Sequence, residues 1–251
     1  MVTGAVIGGV VGQHIAGRNG AIVGAMLGTV LGGVVGYEVG RSLEASEKAA
    51  LQRRMAVALN SGKDNHPYDW TSPKGNAAAK FTADKQRKVD RKTTILRPTN
   101  IEHTPALEVI GEPYVVKKDT SLHAGPRSAG TVIGVLKKGQ TVVAMGRVKG
   151  QPWMAVGSDN RVVGYVPAAT VVAAADAASQ SFDRVLVAAA PEGNHDNAIK
   201  TAAAVGLIAD QVETSTACRE VNYSVVKDGS EAEKGKVDAC KTPDGHWAYQ
   251  G

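Results

Sequence analysis

The chain has 251 residues, a net charge of +5 and only 4% aromatic residues. That length accommodates one to three domains, and with few aromatics and many Gly and Ala residues, small domains joined by linkers are expected rather than one large core. The six histidines are scattered, with no HxxxH, HExxH or Cys-His zinc spacing, and the two cysteines form no CxxC, so neither a metal site nor a cofactor is expected.

The first forty residues set the organisation. Gly20, Gly24, Gly28, Gly32, Gly36 and Gly40 recur every fourth residue, with Ala, Val, Ile, Leu and Met filling most of the gaps. Glycine costs roughly 1 kcal/mol against Ala in a helix, so six in register need a reason. Close approach of two backbones supplies one. Val2 to Ala16 carries Gly4, Gly8 and Gly12 at the same spacing, and Gly17-Arg18-Asn19-Gly20 separates the two limbs. The expectation is a glycine-zipper helical hairpin over residues 1–41, associated with membrane lipid or with a second copy of itself. As helices the limbs are about 27 and 22 Å long against a hydrocarbon core of roughly 30 Å, so a buried soluble hairpin stays open as an alternative. A dinucleotide-binding loop fits poorly, because no strand precedes the glycines and the GxGxxG spacing fails. The start has no basic n-region, small-residue cleavage site or nearby Cys, so no ordinary signal peptide is read and no lipid anchor can be placed; either the zipper itself directs the chain to a membrane or a signal lies upstream of Met1. The pattern resembles the glycine-zipper segment of rickettsial-type outer-membrane surface antigens.

Ser42 is placed to cap a helix running to about Leu59, with Leu43, Glu47, Leu51, Met55 and Leu59 near one face and charged residues, Glu47 among them, on the wet side. Tyr68-Asp69-Trp70 and Pro73-Lys74-Gly75 follow. This series, a helix and then WTSPKGNAAAKF, resembles the segment after the zipper in the surface-antigen family and defines a second unit, residues 42–81. Between Lys80 and Arg97 seven basic residues face two aspartates, which accounts for the whole charge excess. With little apolar content and no interleaved aromatics, that run reads as a solvated basic linker over residues 82–110, and not as a nucleic-acid surface.

Residues 111–172 change character. Short Val-rich runs at 114–116, 131–136, 141–145, 153–156 and 162–166 alternate with turns such as Lys138-Gly139 and Ser158-Asp159-Asn160. Such spacing predicts a small closed β-barrel. The order LHAGPRSAGTVIGVLKKGQTVVAMG, then Trp153, then Gly164-Tyr165-Val166 resembles bacterial SH3 domains, although Tyr165 stands where Trp is usual and His123-Ala124 replaces a common Val-Arg pair. The resemblance implies binding of cell-wall peptide or glycan, with Trp153, Tyr165 and His123 as candidate ligand residues. The same aromatics serve equally well as barrel core.

The last unit, residues 173–251, opens Ala- and Val-rich. Phe182 to Ala190 is strand or helix, and Asp196 to Asp210 reads as helix. Beyond it, Lys227-Asp228-Gly229-Ser230 is a hairpin turn. A hairpin centred on Gly229 sets Cys218 opposite Cys240 and gathers Val221, Val237, Tyr223 and Val225, which argues for a cross-strand disulfide. Pro243-Asp244-Gly245 then turns into a third strand holding Trp247. Cys218-Arg219-Glu220, Ala239-Cys240 and Asp244-Gly245-His246-Trp247 resemble the end of the surface-antigen family. The barrel thus reads as an insertion within such a chain.

The fold class expected is α+β and multi-domain: a glycine-zipper helical hairpin, an SH3-like barrel, and a C-terminal β-hairpin or meander with a disulfide. No nucleophile elbow or catalytic constellation stands out, so a non-enzyme is expected. Its place is the bacterial envelope, at the outer membrane facing periplasm or surface. Its partners are lipid, peptidoglycan or another envelope protein, and no nucleic acid.

Overall fold

The computed structural model describes residues 45–60, 63–174, 187–188, 203 and 206–250. The zipper glycines Gly20 to Gly40 lie outside the described residues, as does most of the helix read over 196–210. One helix, α1 (Ala45–Asn60), precedes fourteen strands. They are β1 (Tyr68–Thr71), β2 (Ala77–Ala83), β3 (Arg87–Pro98), β4 (Leu107–Val116), β5 (Thr120–His123), β6 (Val132–Leu136), β7 (Thr141–Val148), β8 (Trp153–Ser158), β9 (Arg161–Pro167), β10 (Val171–Ala173), β11 (Val187–Ala188), β12 (Leu207–Lys227), β13 (Ser230–Lys241) and β14 (Trp247–Gln250). The described residues are therefore mostly β, with one helix and a disulfide. Among them no helix is long and apolar enough to cross a membrane.

The spacing of Leu51, Met55, Ala58 and Leu59 turns one stripe of α1 inward, and all four are buried. Glu47, read from sequence partly as a wet-side charge, is buried as well. The helix packs on a sheet layer made by Trp70, Phe81, Val221, Val225, Val237 and Trp247. Residues on either side of the barrel in sequence thus share one core. Trp247 also donates its indole N–H to Asn60 Oδ1 at 2.8 Å, at the helix end.

The basic run is a strand, not a linker. β3 pairs antiparallel with the first half of β12 in an unbroken ladder from Leu207↔Pro98 to Cys218↔Arg87. The charges hid a period of two. Val89, Thr93 and Ile95 share one face, while Lys88, Asp90 and Lys92 point the other way. The same pairing corrects the end of the helix read over 196–210. Gly206 has φ of +72°, and Leu207 to Asp210 begin β12 because β3 offers them a ladder. Past Cys218, β12 changes partners and pairs with β2 on one side and β13 on the other.

The Cys218↔Cys240 and Val221↔Val237 pairs are present in the β12–β13 hairpin. The turn differs from the one expected. Lys227 pairs with Ser230, so the loop is only Asp228-Gly229, with φ of +49° and +79°. Positive φ at both positions is the twist-matched hairpin turn. A bulge between Val225 and Val226 then restores the offset that a turn centred on Gly229 would have given.

The barrel is built from β4 to β10. Its interior holds Val116, Leu136, Ala144, Met154, Val156, Val166 and Val171. Alternation along β8 and β9 sends the intervening residues to the opposite face.

Candidate functional site

Those intervening residues form a second cluster on the barrel's outer face. Trp153, Ala155, Val162, Tyr165, Met145 and Val148 are buried there together with Ile95 of β3, Val212 of β12 and Ile101. The cover comes from the β3–β12 ribbon and from the connection 99–106 that joins β3 to β4.

The three candidate ligand residues do converge. His123 pairs with Tyr165 across β5 and β9. Its ring meets Trp153 edge to face, with centroids 5.1 Å apart. All three are buried, Tyr165 completely, so they stand in a core and not on an open platform. The reason is topological: the cover comes from β3, from the connection that leads into β4, and from Val212 of β12, none of which belongs to the barrel's own strands. Burial pushes the Tyr165 phenol up to about 12, and Thr104 opposes the shift only in part. Thr104 Oγ1, Tyr165 Oη and His123 Nδ1 are all buried and unpaired.

Sequence reading missed the polar group that holds this cover down. Asp210 Oδ2 accepts from Arg97 Nε at 2.7 Å and from the Thr104 amide at 2.8 Å. His103 Nδ1 lies 3.2 Å from Asp210 Oδ1. Burial works against the Asp210 carboxylate, but the Thr104 N–H and the Arg97 guanidinium outweigh it and lower its pKa. Arg97 Nη1 also donates to Ile101 O at 2.6 Å. On the barrel side the Glu102 amide donates to Ala124 O at 2.9 Å. The Glu102 carboxylate accepts from Arg127 Nη2 at 2.5 Å and lies over Gly125, where a Cβ would collide with it. Only the diagonal placing of Arg97 and Asp210 on paired strands, Arg97 opposite Ile208 and Asp210 opposite Ile95, could have signalled the group, and neither of these strand segments was recognised from sequence.

The second cluster of interest surrounds the disulfide. Cys218 and Cys240 are bonded, with Cα atoms 4.0 Å apart. Next to them the Arg219 guanidinium is buried and reaches five acceptors. They are the carbonyls of Leu59, Lys63, Ala83 and Asp84, and Asp64 Oδ1 at 2.8 Å. Leu59 O belongs to the last turn of α1, where the helix dipole favours a cation. The Cys-Arg-Glu run thus caps the helix and fixes the end of β2. Further along, the Thr242-to-Gly245 turn presses on the barrel. A Cβ at Gly111 would stand 2.5 Å from Gly245 Cα, and Lys241 Nζ meets Glu112 Oε1 at 2.7 Å. Among the described residues no cluster of His, Cys, Asp and Glu could hold a metal ion.

Two family models match the chain. One, described as a bacterial SH3 domain, covers residues 118–172, which is β5 to the middle of β10. The other, described as a glycine zipper 2TM domain, covers residues 1–40. No curated protein matches the chain, and no solved structure does. The chain therefore joins a glycine zipper 2TM segment at its start to a bacterial SH3 domain carried within a disulfide-bonded β sheet.

Proposed function

We propose that the protein is a non-catalytic component of a bacterial cell envelope, held at a membrane by its zipper, that binds cell-wall peptidoglycan through its SH3 domain in a structural or adhesive role. The observation that carries this reading is the pairing of the two matched segments in one chain. The cross-strand disulfide fits it, since such bonds persist in oxidising compartments outside the cytoplasm. The outer membrane is the membrane we favour, because of the likeness of both ends of the chain to the surface antigens. The test is co-sedimentation of the full chain with purified peptidoglycan sacculi, beside fractionation of expressing cells with thiol labelling before and after reduction. The reading expects retention by sacculi, membrane association, and thiols that label only after reduction. A soluble protein with two free thiols and no retention refutes it.

One observation favours a second reading, in which the barrel binds a partner protein. The Trp153 and Tyr165 face is closed, whereas among the described residues β6 pairs with β5 alone and leaves its outer edge open, with Val132 and Val135 about half exposed. An open apolar edge strand is a place for strand addition. Pro substitution at Val135 would abolish such binding and leave sacculus binding unchanged.

A further inference from the structure

We infer that the connection 99–106 is a displaceable strap that occupies the barrel's ligand face, so that the site formed by Trp153, Tyr165 and His123 is latent until the strap leaves. The inference rests on the wall-binding reading for the identity of the outside ligand, though not for the occlusion itself.

The strap and its bed differ in construction from the rest of the molecule. The barrel interior is complete without the strap, since its buried cluster draws on residues 110–171 only. The outer face is different. It is apolar across Met145, Val148, Trp153 and Val162 and takes a single strap side chain, Ile101, as its apolar anchor between β3 and β4. No ladder pairs the strap to the barrel. It is held by discrete bonds: the Lys149 amide to Ala106 O at the β4 end, the Ile101 amide to Pro98 O, Arg97 Nη1 to Ile101 O, the Glu102 amide to Ala124 O, the Thr104 amide to Asp210, and the exposed Glu102–Arg127 pair. The last contributes little, as ion pairs in contact with water usually do.

Polar bookkeeping points the same way. Buried polar atoms in native structures are nearly always paired, and an unpaired buried one costs roughly 1–3 kcal/mol. Three gather at this seam: Thr104 Oγ1 on the strap, and Tyr165 Oη and His123 Nδ1 on the barrel. A barrel face with a phenol and an imidazole nitrogen unspent offers more hydrogen bonding than the strap uses. The strap also indicates what chemistry fits. It lies there as a short segment with one aliphatic side chain, Ile101, followed by one carboxylate, Glu102, opposite Arg127. The ligand that would replace it is a short peptide with a small aliphatic side chain, a carboxylate for Arg127, and a group able to bond Tyr165 Oη.

Native-state hydrogen exchange on the full chain, read residue by residue, tests the occlusion without any ligand. The Glu102 and Thr104 amides are expected to exchange about 100-fold faster than those of Ala155 and Val156 in β8. Ile101→Ala should speed the strap amides about tenfold further and leave β8 unchanged. If Glu102 and Thr104 exchange together with β8, or Ile101→Ala accelerates all of them alike, the strap is part of the global core and the inference is wrong. Sacculus binding then separates the two readings. With the strap loosened, Ile101→Ala should bind purified sacculi about tenfold more tightly than the parent chain. Equal, measurable binding by both proteins overturns the latent site and keeps wall binding. Local opening without any sacculus binding refutes wall binding, and the occlusion stands on exchange alone.

Discussion

Replacing Arg219 with Met tests whether the Cys-Arg-Glu run acts as a clamp. The substitution keeps most of the volume and apolar stem but removes the guanidinium from five acceptors. Two of these bonds, to Leu59 O and Ala83 O, are buried. Ala83 O keeps the Asn65 amide at 2.8 Å, so Leu59 O is the buried carbonyl that loses its partner, at about 1–3 kcal/mol. Asp64 is about half exposed and returns to water at little cost. The expected loss is therefore about 2 kcal/mol. It should fall on the helix-side core, which holds Trp70 and Trp247, and not on the barrel, which holds Trp153. Urea unfolding followed by tryptophan fluorescence in a Trp153→Phe background reads the helix-side core alone. With a slope of about 2 kcal/mol/M, the midpoint should drop by about 1 M. Arg219→Lys should recover only a fraction, because one ammonium cannot span acceptors fanned around a planar fork. A midpoint shift below about 0.5 M for Arg219→Met would sink the clamp argument.

Three further outcomes follow. Gly111→Ala puts a Cβ against Gly245 Cα, Gly245 N and Thr242 O at a φ of +58°, and should cost more than about 2 kcal/mol in thermal or urea unfolding; a neutral result would mean the turn yields freely. Loss of the disulfide, by reduction or by Cys218→Ala with Cys240→Ala, releases a link across a sequence separation of 22. It should cost about 3 kcal/mol, seen as a lower midpoint in urea with dithiothreitol. Asp210 has a folded pKa below its unfolded one, so its contribution is fully present above the unfolded value and is lost as pH falls through the folded value. Acid titration of stability should therefore show a component below about pH 4 that Asp210→Asn removes, and an identical acid limb in that variant would refute the assignment.

What could be read from sequence was local. The β12–β13 register was legible because one offset aligned both cysteines and an apolar face; the bulge at Val225 was not, because it compensates a turn one residue shorter than expected. The apolar stripe of α1 showed itself at Leu51, Met55 and Leu59. β3 failed to show because charge density masked the alternation of Val89, Thr93 and Ile95, and because its partner β12 lies more than a hundred residues away. The burial of Trp153 and Tyr165 was hidden for the same reason. Composition identifies them as aromatics of a barrel, but only the path of residues 95–104 decides whether their outward face meets water or chain. Arg219 was visible as part of a motif. Its work was not, since its acceptors are backbone carbonyls that carry no sequence signal.

The disulfide's position explains how two cores share one strand. β12 contributes Val212 to the barrel-side cluster and Val221 and Val225 to the helix-side cluster. Between them, at Cys218, its neighbour changes from β3 to β2. A strand that switches partners has a break in its ladder there, bridged here by the Asp84 amide to Glu220 O at 2.9 Å. The bond to Cys240 anchors β12 to β13 on its other edge at that same residue. Arg219, one residue on, ties the end of β2 and the end of α1 to the same point. The break between the two cores is thus fastened by a disulfide, a strand pairing and a buried guanidinium. Under the proposed function, a barrel that takes hold of a ligand while its chain is fixed at a membrane would pass load through this joint.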